Sequence, residues 1–148
     1  MADVRPGTTL LDFLRDQGIF SVKYGSDKGE TGADTVLVND NIMNASLLLI
    51  HTLEGQNVET VESFARGREV HPLQDAFVEE GGIQCGYCTP GMILAVESLA
   101  RSNTAPSEEN IKEILAGVYC RCTGYVKPVK AAMKYLADRT ERHDGAEK

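Results

Sequence analysis

Four cysteines stand in the chain, in two tight pairs, Cys85-Gly86-Tyr87-Cys88 and Cys120-Arg121-Cys122. No cysteine occurs elsewhere among the 148 residues, so four unrelated buried cysteines are a poor explanation. A C-x2-C pair chelates one metal across a tight turn, and Gly86 lets the backbone pass close to it. A C-x-C pair sets two thiols on one extended segment. Together they supply the four thiolates of a [2Fe–2S] cluster or of a tetrahedral zinc site, and spacing leaves both open. Disulfides are disfavoured, because nothing directs the chain to an oxidising compartment. Met1-Ala2-Asp3-Val4-Arg5-Pro6 has no apolar core of a signal peptide, and the longest aliphatic run, Leu47 to Ile50, is too short to span a membrane. A cytoplasmic location is expected. A net charge of -7 gives nucleic-acid binding no electrostatic support.

The hydrophobic pattern changes near Val70-His71-Pro72. Before it the signals are mixed. Leu10, Phe13 and Leu14 make a short helical stripe behind the capping residues Thr8/Thr9, and Gly18 can end it. A glycine-rich stretch (Gly25, Gly29, Gly32) follows. Thr35 to Val38, Asn39-Asp40 and Ile42 onward then read as strand, turn and strand, with a further strand at Val58 to Val61. After Pro72 the period is helical. Leu73/Ala76/Phe77, Met92/Val96/Leu99/Ala100, Ile111/Ile114/Leu115/Val118 and Val129/Ala132/Met133/Leu136 each share one helix face. Gly81-Gly82, Pro90-Gly91, Pro106-Ser107 and Pro128 punctuate them. The expected architecture is α+β: residues 1–70 as a small mixed unit, 71–138 as four helices, and 139–148 as a charged tail, frayed from Thr140. In an up-down-up-down bundle the first and third connections lie at one end, and these hold the two cysteine pairs. Two helix N-termini point there too, where free N–H groups favour an anionic thiolate centre.

The residues around the cysteines are more specific than their spacing. Gln84-Cys85-Gly86-Tyr87-Cys88-Thr89-Pro90-Gly91-Met92 and Cys120-Arg121-Cys122-Thr123-Gly124-Tyr125 closely resemble the iron–sulfur small subunit of the xanthine dehydrogenase and aldehyde oxidoreductase family, the molybdenum hydroxylases. His71-Pro72-Leu73-Gln74 and Leu10-Leu11-Asp12-Phe13-Leu14-Arg15 match it as well. The resemblance implies a ferredoxin-like (β-grasp) N-terminal domain and a four-helix bundle. It implies that Cys85, Cys88, Cys120 and Cys122 ligate the molybdenum-proximal [2Fe–2S] cluster. Gln84 would contact the pterin of a molybdenum cofactor held by a separate large subunit, with Cys122 presenting its sulfur edge to that pterin. A flavin (FAD) subunit often completes such an assembly.

The chain departs from this pattern in its N-terminal half. A plant-type ferredoxin site needs a C-x4-C-x2-C run and a fourth cysteine. The corresponding positions here are Ser26, Thr31 and Asp34, with Ser46 as the fourth. Hydroxyls are poor iron ligands, and one carboxylate with three hydroxyls is a weak set for Mg²⁺ or Ca²⁺. An empty loop held by hydrogen bonds is expected, making the N-terminal unit a degenerate, cluster-free β-grasp. The family's opening strand also has no counterpart before Pro6, so the sheet is expected to be smaller or completed by a partner. Three functions follow: an electron-transfer subunit with one proximal cluster; a subunit of a non-redox enzyme of hydratase or transhydroxylase type, its cluster structural or priming; or a zinc scaffold. No catalytic site is expected on this chain alone. His51 and His71 lack ligand spacing with the cysteines, His71 being assigned to the turn into the helices, and His143 lies in the tail. Iron and acid-labile sulfide counting tests the cluster number. Two of each per chain is expected; four of each, or stoichiometric zinc, would overturn the reading.

Overall fold

The computed structural model describes residues 4–64, 69–102 and 106–144, and side chains only as far as residue 139. The first helix, α1 (Leu10–Asp16), starts at Thr9, whose hydroxyl accepts the Asp12 N–H at 3.1 Å. Three antiparallel strands follow: β1 (Thr35–Val38), β2 (Asn41–Asn44) and β3 (Val58–Glu59), in the order β2-β1-β3. Asn39 and Asp40 join β1 to β2 with φ of 48° and 66°. Two consecutive positive φ values make the tight hairpin turn that Asn and Asp tolerate better than branched residues. β3 is shorter than the Val58–Val61 pattern suggests. It pairs only with Leu37 and Val38, and the chain then coils into a 3₁₀ turn, Val61–Phe64, that carries Phe64 into the core.

Four helices complete the fold: α2 (Pro72–Glu79), α3 (Thr89–Arg101), α4 (Glu108–Ala116) and α5 (Val126–Asp144). Most residues of the predicted stripes are buried, but Met133 of α5 is exposed, and Val118 is buried just beyond the end of α4. α2 packs on α3 and α5, and α4 on α3 and α5. His71 opens α2 with a capping box: its ring nitrogen accepts the Leu73 N–H, and Gln74 returns an acceptor to the His71 N–H. Ser107 caps α4 in the same way through Asn110. α5 runs on to Asp144 where a frayed tail was expected from Thr140; residues 145–148 lie outside those described, as do the side chains from 140 onward, His143 included.

Two apolar clusters share one strand. All four residues of β1 are buried, because it is covered on both faces. Val36 and Val38 join Leu10, Leu11 and Leu14 of α1. Leu37, pointing the other way as strand alternation requires, enters the helical core with Phe64, Phe77 and Met92. α3 is buried almost all round, from Gly91 to Glu97, because it lies between the sheet and the other helices. Leu37, Leu73, Phe77, Met92, Leu94, Ile111 and Leu115 are fully buried, each contributing roughly 2 kcal/mol of hydrophobic free energy.

Charges join the sheet to the helices. Arg101, at the end of α3, reaches Asp40 at 2.5 Å, Glu59 at 3.0 and 3.1 Å, and Glu97 at 3.0 Å. Glu97 is only 5% exposed and also accepts from the Tyr135 hydroxyl at 2.8 Å and from Arg139 at 3.5 Å. Burial, reinforced by the Glu97 carboxylate, pushes the Tyr135 phenol up to about 12. Arg101→Ala is expected to cost about 2 kcal/mol, since Glu97 and Glu59 lose charged donors they cannot fully replace. A thermal melt should fall by roughly 6 °C. An unchanged melting temperature would show the clamp to be a solvated surface pair.

Candidate metal centre

The loops at residues 80–88 and 117–125 meet at one end of the four helices, and all four cysteines are free thiols there. Cys88 is the N-cap of α3, and Cys122 stands four residues before α5. Gly86, with φ of +81°, turns the first loop between its cysteines. The thiols form two close pairs drawn across the loops. Cys85 Sγ and Cys122 Sγ are 3.6 Å apart. Cys88 and Cys120 lie near enough that each shifts the other's ionisation. Cys85 and Cys122 are exposed, Cys88 and Cys120 buried, so one pair faces outward and the other inward.

Thiolates on one tetrahedral metal with metal–sulfur bonds of ~2.3 Å sit about 3.8 Å apart. The outer pair already has that separation. A zinc site needs all four sulfurs around one point. Two pairs side by side, each with two sulfurs per metal, are the donor set of a two-iron cluster. The residues present fit that group.

The surroundings bias the thiols differently. Burial pushes the Cys88 thiol up to about 12, helped by its hydrogen bond to Cys120. Burial also opposes ionisation of Cys120, but the Thr123 hydroxyl and N–H, Cys88 and the Cys122 N–H outweigh it and lower its pKa. The hydrogen bond with Cys85 raises that of Cys122. Proton sharing within close pairs gives this pattern in free thiols; metal ligation removes the protons.

The glycine-rich N-terminal loop holds both cysteine loops in place. The Tyr87 hydroxyl, between the first two cysteines, donates to the Tyr24 carbonyl at 2.6 Å. The Tyr119 N–H, beside Cys120, donates to the Thr31 carbonyl at 2.8 Å. Gly32, with φ of +62°, lies so close that a Cβ there would stand 2.1 Å from the Gly117 carbonyl oxygen. A Cβ on Gly91, in the first turn of α3, would stand 2.7 Å from the Gly32 oxygen. Tyr125 completes the support: its hydroxyl accepts the Cys120 N–H at 2.8 Å and donates to the Val118 carbonyl at 3.1 Å. The carbonyl partners of Tyr87 and the Tyr119 N–H leave no trace in side-chain type. Gln84 is exposed beside Cys85, and Arg121 is exposed between its cysteines.

The side chains of Ser26, Thr31 and Asp34 engage in ordinary hydrogen bonding. Asp34 is fully buried; its carboxylate accepts the Ser46 N–H at 2.8 Å and the Asn44 amide at 3.2 Å. Ser26 donates to Glu30 at 2.7 Å, and Thr31 accepts the Ala33 N–H at 3.3 Å. The Ser46 hydroxyl is buried without a partner among the described residues. His71 stacks near Phe64 and Tyr135, and His51 is exposed in a 3₁₀ turn.

Comparison with known proteins agrees with this geometry. Residues 60–133 match the [2Fe–2S] binding domain family. The chain is 42% identical over 135 residues to the nicotinate dehydrogenase small FeS subunit of Eubacterium barkeri, covering 90% of this chain and 85% of that one. It is 43% identical over 122 residues to the xanthine dehydrogenase iron-sulfur-binding subunit of Escherichia coli O157:H7, covering 81% and 77%. Among solved structures, quinoline 2-oxidoreductase from Pseudomonas putida 86 superposes with a TM-score of 0.88 at 35% identity, over 94% of this chain and 87% of that one. Aldehyde oxidoreductase from Desulfovibrio desulfuricans ATCC 27774 gives 0.88 at 37% identity, over 93% of this chain but 16% of that longer one.

Gly32→Ala should force the two loops apart and cost about 3 kcal/mol by overpacking against backbone. Its iron content after purification should fall with its melting temperature; full iron at an unchanged melting temperature would refute the bracing role. The paired thiols, the matched domain and relatives aligned over most of their own length lead to one assignment: the chain belongs to the [2Fe–2S] small subunits of the molybdenum hydroxylase family, the group of the xanthine and nicotinate dehydrogenases.

Proposed function

We propose that the chain is an electron-transfer subunit in which Cys85, Cys88, Cys120 and Cys122 hold one [2Fe–2S] cluster beside a large molybdenum-cofactor subunit. The observation that supports this reading is the convergence of the four thiols, with Cys85 and Cys122 in contact and exposed and Cys88 and Cys120 buried. When bound, such a cluster supplies a one-electron carrier. The chain's own residues would hold it, bury its inner side behind Cys88 and Cys120, and leave the Cys85/Cys122 edge open to a partner. Gln84 would meet the pterin of the molybdenum cofactor through its amide, and Cys122 through its sulfur. Both are exposed at that edge, which supports this reading. A flavin subunit is the natural next acceptor. We read the fold as a degenerate β-grasp domain (1–70) without a cluster, a four-helix domain (71–138) and a closing segment (139–148). No helix among the described residues is long and apolar enough to cross a membrane. We place the protein in the cytoplasm, where cysteines stay reduced and available to a cluster.

The composition of the N-terminal loop favours a second reading. With Ser26, Thr31, Asp34 and Ser46 tied up by hydrogen bonds or buried, no ligands stand ready for an outer relay centre. A hydratase or transhydroxylase needs no exit for electrons, and there the cluster would be structural or priming.

Cys88→Ser in the purified complex separates these readings. Electron transfer predicts loss of the [2Fe–2S] EPR signal and a fall in substrate-driven dye reduction of about an order of magnitude or more. Substrates would be screened among purines, nicotinate and aldehydes, after the relatives' names. Product formation by the unsubstituted complex with no acceptor present would overturn the redox reading in favour of the second.

A further inference from the structure

We propose that Thr123 sets the reduction potential of the cluster by donating hydrogen bonds to the sulfur of Cys120. This rests on the reading that Cys120 is a cluster ligand. Thr123 aims two donors at one sulfur: its hydroxyl lies 3.1 Å from Cys120 Sγ, and its backbone N–H lies 3.5 Å away. The hydroxyl is itself polarised, because Thr123 Oγ1 accepts the Tyr125 N–H at 3.3 Å. The result is a directed chain, Tyr125 N–H to Thr123 O–H to Cys120 Sγ, in which each donor strengthens the next. Tyr125 has φ of +66°, which turns the backbone between the cysteine loop and α5 and lets its N–H reach back. The phenol of the same residue fixes Cys120 from the other side through the Cys120 N–H and the Val118 carbonyl. Acceptor and donor are therefore both immobilised.

Cys120 is buried, so these donors act where water competes little. Reduction adds negative charge to a thiolate-ligated cluster, and a donor at a ligand sulfur stabilises the more negative state. The Thr123 hydroxyl thus holds the potential up. With no ligands for a second relay centre in the N-terminal loop, that potential alone would govern how readily the chain accepts an electron and passes it on. Thr123 is a positioning and tuning residue that acts through Cys120.

The test is an EPR-monitored redox titration of the [2Fe–2S] signal in the purified complex, for Thr123→Val, Thr123→Ala and Thr123→Ser. Iron and acid-labile sulfide are counted in each. The proposal expects the Val and Ala variants to load two irons and titrate at a more negative potential, while Ser, which keeps the hydroxyl, titrates with the unsubstituted protein. An unchanged or raised potential in loaded Val or Ala overturns it. So does a Ser variant that falls as far as Val. Loss of the cluster from both Val and Ala, with Ser loaded, also overturns it and assigns the hydroxyl to assembly. Failure of the ligand reading is seen separately, as a Cys120→Ser complex that keeps two irons and its EPR signal.

Discussion

Four sulfur donors crowded at one surface of a small protein repel one another once ionised, and everything around them works against that repulsion. The two loops that carry them are short, each joining the end of one helix to the start of the next, so neither can hold its position alone. Helix N-termini supply N–H groups and positive dipole ends. Tyr125 pins the Cys120 backbone between two hydrogen bonds, and Thr123 turns two donors towards its sulfur. The paired geometry, Cys85 with Cys122 and Cys88 with Cys120, arises because each loop gives one thiol to the surface and one to the interior. An exposed edge backed by a buried one is what an electron carrier needs: access for a partner on one side and exclusion of water on the other.

The N-terminal half has a structural role in this arrangement whether or not it carries a cluster. Its glycine-rich loop lends the Tyr24 and Thr31 carbonyls to the two cysteine loops, and Gly32 packs directly against Gly117. Asp34 closes the loop from within by taking the Ser46 N–H and the Asn44 amide, contacts that a buried carboxylate makes strongly. Loss of metal ligands therefore need not bring loss of the loop. The superposition on quinoline 2-oxidoreductase extends over 94% of the chain, so the fold of this half persists where its cysteines do not.

The two halves are joined by packing and by charge. β1 contributes alternate residues to two cores, Val36 and Val38 to one and Leu37 to the other. Arg101 then ties α3 to Asp40 and Glu59 of the sheet, over a buried Glu97 that Tyr135 and Arg139 also satisfy. Breathing between sheet and helices would move the loop that braces the cysteines. This clamp lies at the far end of α3 from Cys88.

Residue type and local spacing were enough to identify the cysteine pairs, most of the four helical stripes, a cap at Thr8/Thr9, a helix start at Pro106-Ser107 and the Asn39-Asp40 turn. Each is a short-range property: a helix period, a cap or a turn is settled within a few residues. Helix order alone also placed both cysteine loops at one end. Tertiary structure decided which thiol pairs with which, because that depends on how two loops approach through space. It also decided that β3 stops at Glu59, since the demand for Phe64 in the helical core outweighs the strand preference of Thr60 and Val61. The backbone carbonyls of Tyr24 and Thr31, the meeting of Arg101 with residues some forty and sixty positions away, and the turn of Thr123 towards Cys120 were hidden for the same reason. Backbone acceptors carry no sequence signature, and contacts between distant residues exist only once the chain has packed.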